Sequence, residues 1–115
     1  MRPETLYLAD ILEAAEAMAE FVEGMDESDF NRDAKTQSAV IQKLIVIGES
    51  AARLPQDFKD RYPQIEWRDV VTFRNILVHA YFSIKLAIIW HTVRHEVPLL
   101  RQKVIEIMEQ ERKEQ

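Results

Sequence analysis

The 115-residue chain carries 15 lysines and arginines against 20 aspartates and glutamates, a formal net charge of −5. Its length fits one domain, residues 1–115, and a composition of 47% hydrophobic and 30% charged residues argues against disorder. The lack of cysteine excludes disulfides, thiol catalysis and cysteine-based metal sites. No apolar run is long enough for a membrane span, so we expect a cytoplasmic protein.

The first predicted helix begins near Thr5, which can cap it, and stops at Gly24. Acidic residues separate apolar residues that recur at three- and four-residue steps, as on an amphipathic helix. These apolar residues are Leu8, Ile11, Leu12, Ala15, Met18, Ala19 and Val22. The acidic stretch over residues 25–32 is predicted to be a short connection.

The second predicted helix starts at its cap Asp33, runs through Leu54 and is ended by Pro55. Gly48 and Ala51 allow another helix to approach it closely. Its apolar stripe is Val40, Ile41, Leu44, Ile45, Ile47, Gly48, Ala51 and Leu54. A stripe this wide predicts either a central helix of the bundle or a helix covered by a second copy of the chain.

The second half of the chain contains three more predicted helices, after a short polar helix or turn over residues 55–62. The third helix starts at Trp67 and ends near residue 78, with residues 79–82 as its end or a turn. Ser83 can cap a fourth helix, and Pro98 should break or kink that helix near residue 97. A final helix is expected to fray over residues 109–115. The fold class is therefore all-α, an up-and-down bundle of four to five helices.

Charge is unevenly distributed along the chain. Residues 1–33 have a net charge of −8, whereas residues 68–103 have a net charge of +4 and hold all three histidines. An isoelectric point near 5.2 argues against a protein that coats nucleic acid in general. A local anion site in the second half and simple solvation of charged helix faces both fit this pattern.

The segment from Arg74 to Tyr81 holds the strongest candidate chemistry. Arginine is a fixed cation whose planar fork suits phosphate oxygens, and histidine exchanges a proton near neutral pH. Arg74 and His79 could thus supply a cation, a general base and a general acid for metal-free RNA cleavage. One histidine cannot easily serve as acid and base together, but two copies of His79 across a two-fold axis could. On residue pattern alone, a surface arginine and a histidine hydrogen-bonded at a helix end are the simpler interpretation.

The chain resembles the HepT-like group of the HEPN superfamily over nearly its whole length. The resemblance rests on the helix from Ala39 to Ala51, the entry Tyr-Pro-Gln-Ile-Glu-Trp over residues 62–67, and the motif Arg-x4-His-x-Tyr. It implies a helical bundle that dimerises and cleaves RNA as the toxin of a type VII toxin–antitoxin pair. Arg74 and His79 would form the catalytic pair in a composite site at the dimer cleft, with Asn75 in support.

The resemblance also implies a partner, a minimal nucleotidyltransferase antitoxin that silences the toxin by AMPylation of Tyr81. It implies RNA as the substrate, neither metal nor other cofactor, and no role for DNA or membranes. Two alternatives remain open: a non-catalytic helical module that binds nucleotide or the transferase, and a plain dimerisation adapter.

Two further features have open interpretations. His91 and His95 have the i, i+4 spacing that can bind zinc, but surface histidines are the simpler interpretation, because Glu96 would lie on another helix face. Glu49 lies among apolar residues. It would either hold the guanidinium of Arg74 across the bundle or reach solvent.

Overall fold

The computed structural model describes residues 2–114, and of Tyr81 the backbone alone. Its α-helices are α1 (Glu4–Phe21), α2 (Glu27–Asn31), α3 (Ala34–Arg53), α4 (Gln56–Arg61), α5 (Trp67–Ala80), α6 (Leu86–His91) and α7 (Val97–Lys113). A π-helical segment, Thr92–Glu96, joins α6 to α7, so that the three segments form one continuous composite helix. Residues 2–114 contain no β-strand, so the all-α class is confirmed. The prediction of four to five helices is compatible with α1, α3, α5 and the composite helix. The short helices α2 and α4 come in addition.

Helix α1 begins one residue before Thr5, and no side chain caps its start. The prediction of a Thr5 cap was therefore wrong. The predicted stop is confirmed, because the helix ends at Phe21 and the turn that follows contains Gly24 at φ 77°, a conformation that favours glycine.

The acidic stretch after Gly24 contains the short helix α2, where the sequence predicted only a connection. The backbone N–H of Asp29 donates to the Asp26 side chain at 2.8 Å, and the Asp26 N–H donates back to Asp29 at 3.2 Å. This reciprocal pair is a capping box built from two aspartates. Phe30, fully buried on α2, anchors the helix to the core.

Helix α3 occupies the centre of the bundle and packs against both α1 and α5. Asp33 caps it as predicted, because its carboxylate accepts from the Thr36 N–H at 3.0 Å. The buried side of α3 consists of Val40, Leu44, Ile47, Gly48, Ser50 and Ala51. Of the two explanations for the wide apolar stripe, the structure shows the central helix, because α1 and α5 cover these residues within one chain.

The predicted fourth helix differs from the structure at both ends. Ser83 does not cap it, since its hydroxyl donates to the Ala80 carbonyl at 2.8 Å and closes the 3₁₀ turn Tyr81–Ser83. Of the break or kink predicted near residue 97, the structure shows no break, but the regular α-helix is interrupted by the π turn Thr92–Glu96 just before that point. Proline lacks the N–H that would donate to the carbonyl four residues earlier, and its ring clashes with that carbonyl. The wider π turn Thr92–Glu96 contains this carbonyl and gives space for the ring of Pro98.

The core draws on every long helix of the bundle. Its largest fully buried side chains are Leu8, Ile11, Met18, Phe30, Val40, Phe58, Leu77, Ile89, Val104 and Ile107. Helix α7 packs on α1 and stays helical to Lys113. The fraying expected over residues 109–115 is therefore not seen up to residue 113, and Gln115 lies outside the described residues. Across the described residues, none of the helices combines the length and apolar character that a membrane crossing requires.

Candidate active site

Helix α5 carries the predicted catalytic pair and is held firmly at its start. The indole N–H of Trp67 donates to the carbonyl of Tyr62 at 3.0 Å, and Trp67 is buried. The phenol of Tyr62 in turn donates to the carboxylate of Glu111 near the end of α7. These bonds and the packing of Leu77 fix α5 against the rest of the bundle.

Arg74 lies on the side of α5 that packs on α3, and it is partly buried. The stem of its side chain lies directly against Gly48 of α3. Its Nε is the one buried side-chain nitrogen or oxygen in the described part of the chain that lacks a hydrogen-bond partner. The guanidinium therefore has a fixed stem and an unsatisfied donor.

His79 lies in the last turn of α5 and is exposed to solvent. Helix α5 remains regular through Ala80, beyond the predicted end near residue 78. Residues five apart on an α-helix differ by about 140° around the axis and about 7.5 Å along it. Arg74 and His79 thus face different directions, and one copy of the chain does not bring them together.

The other two predicted site residues lie near the same helix end. Asn75 is exposed, and its side chain makes no hydrogen bond within residues 2–114. Tyr81 follows α5 directly, in the 3₁₀ turn, and its side chain lies outside the described residues. The backbone thus places Asn75 about one helical turn before His79 on α5, and Tyr81 two residues after His79 in the turn that follows.

Glu49 does not hold the guanidinium of Arg74. It is exposed, and no ion pair joins these two residues in the described structure. The reason is geometric: Gly48, one residue earlier, occupies the position on α3 that faces Arg74, and adjacent residues on a helix point about 100° apart. The alternative in which Glu49 reaches solvent is the one that the structure shows.

An apolar groove of about 320 Å³ lies between α5, α3 and the start of α7, beside the predicted pair. Its floor is apolar, and Glu66, Asp69, Glu96 and Lys103 stand among its lining residues. Neither Arg74 nor His79 lines it, although Phe73 does. The predominance of acids among the charged lining residues makes the groove unsuited to a phosphate backbone.

The π turn brings together side chains that the sequence placed apart. The Nε2 atom of His91 lies 3.4 Å from a carboxylate oxygen of Glu96, and the rings of His91 and His95 lie 4.9 Å apart between centroids. The prediction that Glu96 faces away was wrong, because the wider π turn brings residues i and i+5 closer around the axis than their separation of about 140° on an α-helix. No group of three or more histidine or acidic side chains among the described residues has a metal-binding arrangement.

Comparison with known proteins identifies the family. The family model for ribonuclease HepT-like proteins matches residues 11–107. A protein of Thermococcus cleftensis named "Probable ribonuclease HepT" is 43% identical over 97 residues, covering 84% of this chain and 88% of its own length.

Two more relatives extend the comparison. A "Putative RNase" of Methanocaldococcus jannaschii is 41% identical over 89% of this chain and 84% of its own length. A "Putative RNase" of Caldanaerobacter subterraneus subsp. tengcongensis is 33% identical over 97% of this chain and its own full length. No solved structure matches the chain at a significant level. The family model and these relatives together show that the chain belongs to the ribonuclease HepT-like family.

Proposed function

We propose that this protein is an endoribonuclease that cleaves RNA without a metal ion, through Arg74 and His79. The observation that carries the proposal is the match to the ribonuclease HepT-like family over residues 11–107, a range that contains both residues. The structure adds support, since His79 is open to solvent and Arg74 carries a positive charge that no carboxylate neutralises within the described residues.

The proposed reaction uses the 2′-hydroxyl of RNA as the nucleophile. The neutral imidazole of one His79 takes its proton, and the 2′-oxygen bonds to phosphorus as the bond to the 5′-oxygen breaks. A protonated His79 gives a proton to the leaving 5′-oxygen. The guanidinium of Arg74 stabilises the charge that develops on the phosphoryl oxygens. The products are a 2′,3′-cyclic phosphate and a 5′-hydroxyl.

The acting form in this proposal is a homodimer. A single α5 presents Arg74 and His79 about 140° apart, so a second copy would supply the group that one chain lacks. The exposed end of α5 supports an interface, because Ile76 is 44% exposed, Val78 is 48% exposed and Phe82, just beyond the helix, is 81% exposed. Several exposed apolar side chains grouped at one end of a helix are typical of a surface that another molecule covers.

The proposal includes a protein partner, a minimal nucleotidyltransferase that acts as antitoxin and AMPylates Tyr81. Its support is the position of Tyr81 in the turn directly after α5, two residues beyond His79. An attached adenylate would bring a phosphate anion close to the cation that RNA needs and would fill the same space. The pair would operate as a toxin–antitoxin system in the cytoplasm.

Cleavage of RNA by the purified protein tests the proposal. We expect wild-type protein to cleave RNA in the presence of chelator and to leave 2′,3′-cyclic phosphate ends or their opened form. Arg74→Ala should abolish cleavage, whereas Arg68→Ala, which removes an exposed arginine of the same helix, should not. A requirement for a divalent ion, or equal losses in both variants, would contradict the mechanism. A wild type that binds nucleotide without cleaving RNA would favour the non-catalytic module.

Co-expression with the proposed nucleotidyltransferase partner tests the silencing step. Intact-mass measurement should show one or more added adenylates on the wild type and none on Tyr81→Phe, which keeps the ring but lacks the acceptor oxygen. Adenylation of the phenylalanine variant would move the modification to another residue.

A further inference from the structure

Helix α3 approaches α5 closely at Gly48, and the residue it meets there is Arg74. Gly48 is buried in the C-terminal half of α3. A β-carbon built at Gly48 would lie 2.6 Å from the Cγ of Arg74, 3.4 Å from its Cα, and closer still to its Cβ. Real β-carbons do not approach other carbons this closely, so only glycine leaves room for the stem of Arg74.

The contact is with the root of the arginine side chain rather than its tip. A flexible tip could turn away from an added methyl group, but Cβ and Cγ are fixed by the backbone of α5 and the first side-chain torsion. The absence of a side chain at Gly48 therefore determines where the first atoms of the Arg74 side chain can lie and in which direction the side chain extends from α5.

Among the described side chains, no other group performs this task for the guanidinium. Its Nε is buried without a hydrogen-bond partner, and neither Glu49 nor another described carboxylate pairs with Arg74. Arginines at functional sites are commonly oriented by hydrogen bonds that they donate to neighbouring acceptors. Here packing against a bare stretch of α3 backbone replaces them, and the charge stays available for an incoming anion.

We propose that Gly48 is a positioning residue for Arg74, which it holds in the orientation that the phosphodiester of RNA requires. This inference rests on the proposed function for its catalytic readout, but the position of the guanidinium can be measured without activity. A misplacement of about 1 Å at a catalytic group can lower the rate by about 100-fold. We therefore expect Gly48→Ala to lower kcat by about 10- to 100-fold and to change KM little.

Variant kinetics distinguish positioning from general stability. Ala52→Ser places a similar extra atom on the exposed side of the same helix and should cleave RNA like the wild type. Arg74→Lys keeps Cβ and Cγ but lacks the planar fork, so adding Gly48→Ala to it should cost less than about threefold further. Equal losses from Gly48→Ala in both backgrounds would show a merely structural role and would overturn the proposal.

Nuclear magnetic resonance of the arginine Nε–H group provides the readout that does not depend on cleavage. The wild type should show one Nε–H signal protected from exchange with water, which Arg74→Lys removes. Gly48→Ala should lose that protection while its amide spectrum remains that of a folded protein. A wild type without RNA cleavage but with this protected signal would refute the proposed function and leave the positioning intact. An unprotected wild-type signal would refute the positioning.

A double variant covers the case in which Gly48→Ala does not fold. Combining it with Arg74→Gly removes the Cβ and Cγ atoms that the new methyl group would strike and leaves the Cα at 3.4 Å. The double variant should regain a cooperative thermal transition. If it stays unfolded, the contact between residues 48 and 74 is not what requires glycine, and the proposal fails.

Discussion

The two ends of α5 differ in how the bundle holds them. At the start, Trp67 is 7% exposed, and a chain of hydrogen bonds leads from its indole through Tyr62 to Glu111 on α7. At the other end, Val78 and His79 are open to solvent, and Phe82, just beyond, is 81% exposed. One helix thus joins a buried anchor to an exposed surface.

This difference separates stability from chemistry along a single helix. Buried and bonded residues at the start of α5 contribute to the free energy of folding, and exposed residues at its end contribute little. The exposed end is then free to contribute a histidine and apolar side chains to the proposed site. Substitutions should therefore change the stability of the protein strongly at the start of α5 and only weakly at its end.

The largest effect is expected at Trp67. Replacement by alanine removes a buried ring and the hydrogen bond to the Tyr62 carbonyl, so Trp67→Ala should lower the free energy of unfolding by about 3–5 kcal/mol. Trp67→Phe keeps a ring and loses the indole N–H, and should cost about 1–2 kcal/mol. Denaturant unfolding measures both values. A loss below about 1 kcal/mol for Trp67→Ala would show that the start of α5 is not an anchor.

The Tyr62 anchor should weaken at high pH. Burial, followed by the hydrogen bond to Glu111, raises the pKa of Tyr62 to about 12. In the unfolded chain a tyrosine ionises near pH 10, so the contribution of Tyr62 is complete below about pH 10 and is lost as the pH rises to about 12.

Tyr62→Phe has no such titration and serves as the reference. The difference in unfolding free energy between wild type and Tyr62→Phe should be constant below about pH 10 and decrease between about pH 10 and 12. A difference that stays constant to pH 12 would contradict a protonated, buried phenol in the anchor.

Smaller effects on stability are expected for the exposed residues near the end of α5. The paired substitution Ile76→Ser and Val78→Ser should change the unfolding free energy of the isolated chain by less than about 0.5 kcal/mol per site. The same change should weaken self-association, because a stable interface of more than about 1,000 Å² needs an apolar centre. Light scattering over a concentration series measures this. A wild type that is monomeric at micromolar concentration would contradict the proposed dimer.

Local rules predicted much of the bundle correctly. The Asp33 cap, Pro55 and the apolar stripe determine α3, and short-range periodicity and capping chemistry suffice for such an element. The same rules missed α2, because two aspartates three residues apart form a capping box that looks like an acidic loop. They also missed the π turn before Pro98, since the sequence shows the strain of proline but not how the backbone relieves it.

For the candidate site, the family motif predicts which residues take part but not how they are arranged. Arg74 and His79 stay predicted site residues, and the directions of their side chains depend on where α5 ends, which is one residue beyond His79. The contact between Gly48 and Arg74 joins residues distant in sequence. The small residues on α3 predicted that another helix packs closely there, but they did not show which side chain of that helix lies against them. The groove beside α5 likewise depends on tertiary packing that no local pattern describes.

The most direct test of the account compares RNA cleavage with thermal stability for His79→Ala. Because His79 is exposed at the end of α5, the variant should keep the wild-type melting temperature and helical content and lose RNA cleavage. His95→Ala, an exposed histidine elsewhere, should keep both. Cleavage at the wild-type rate by folded His79→Ala would contradict the account.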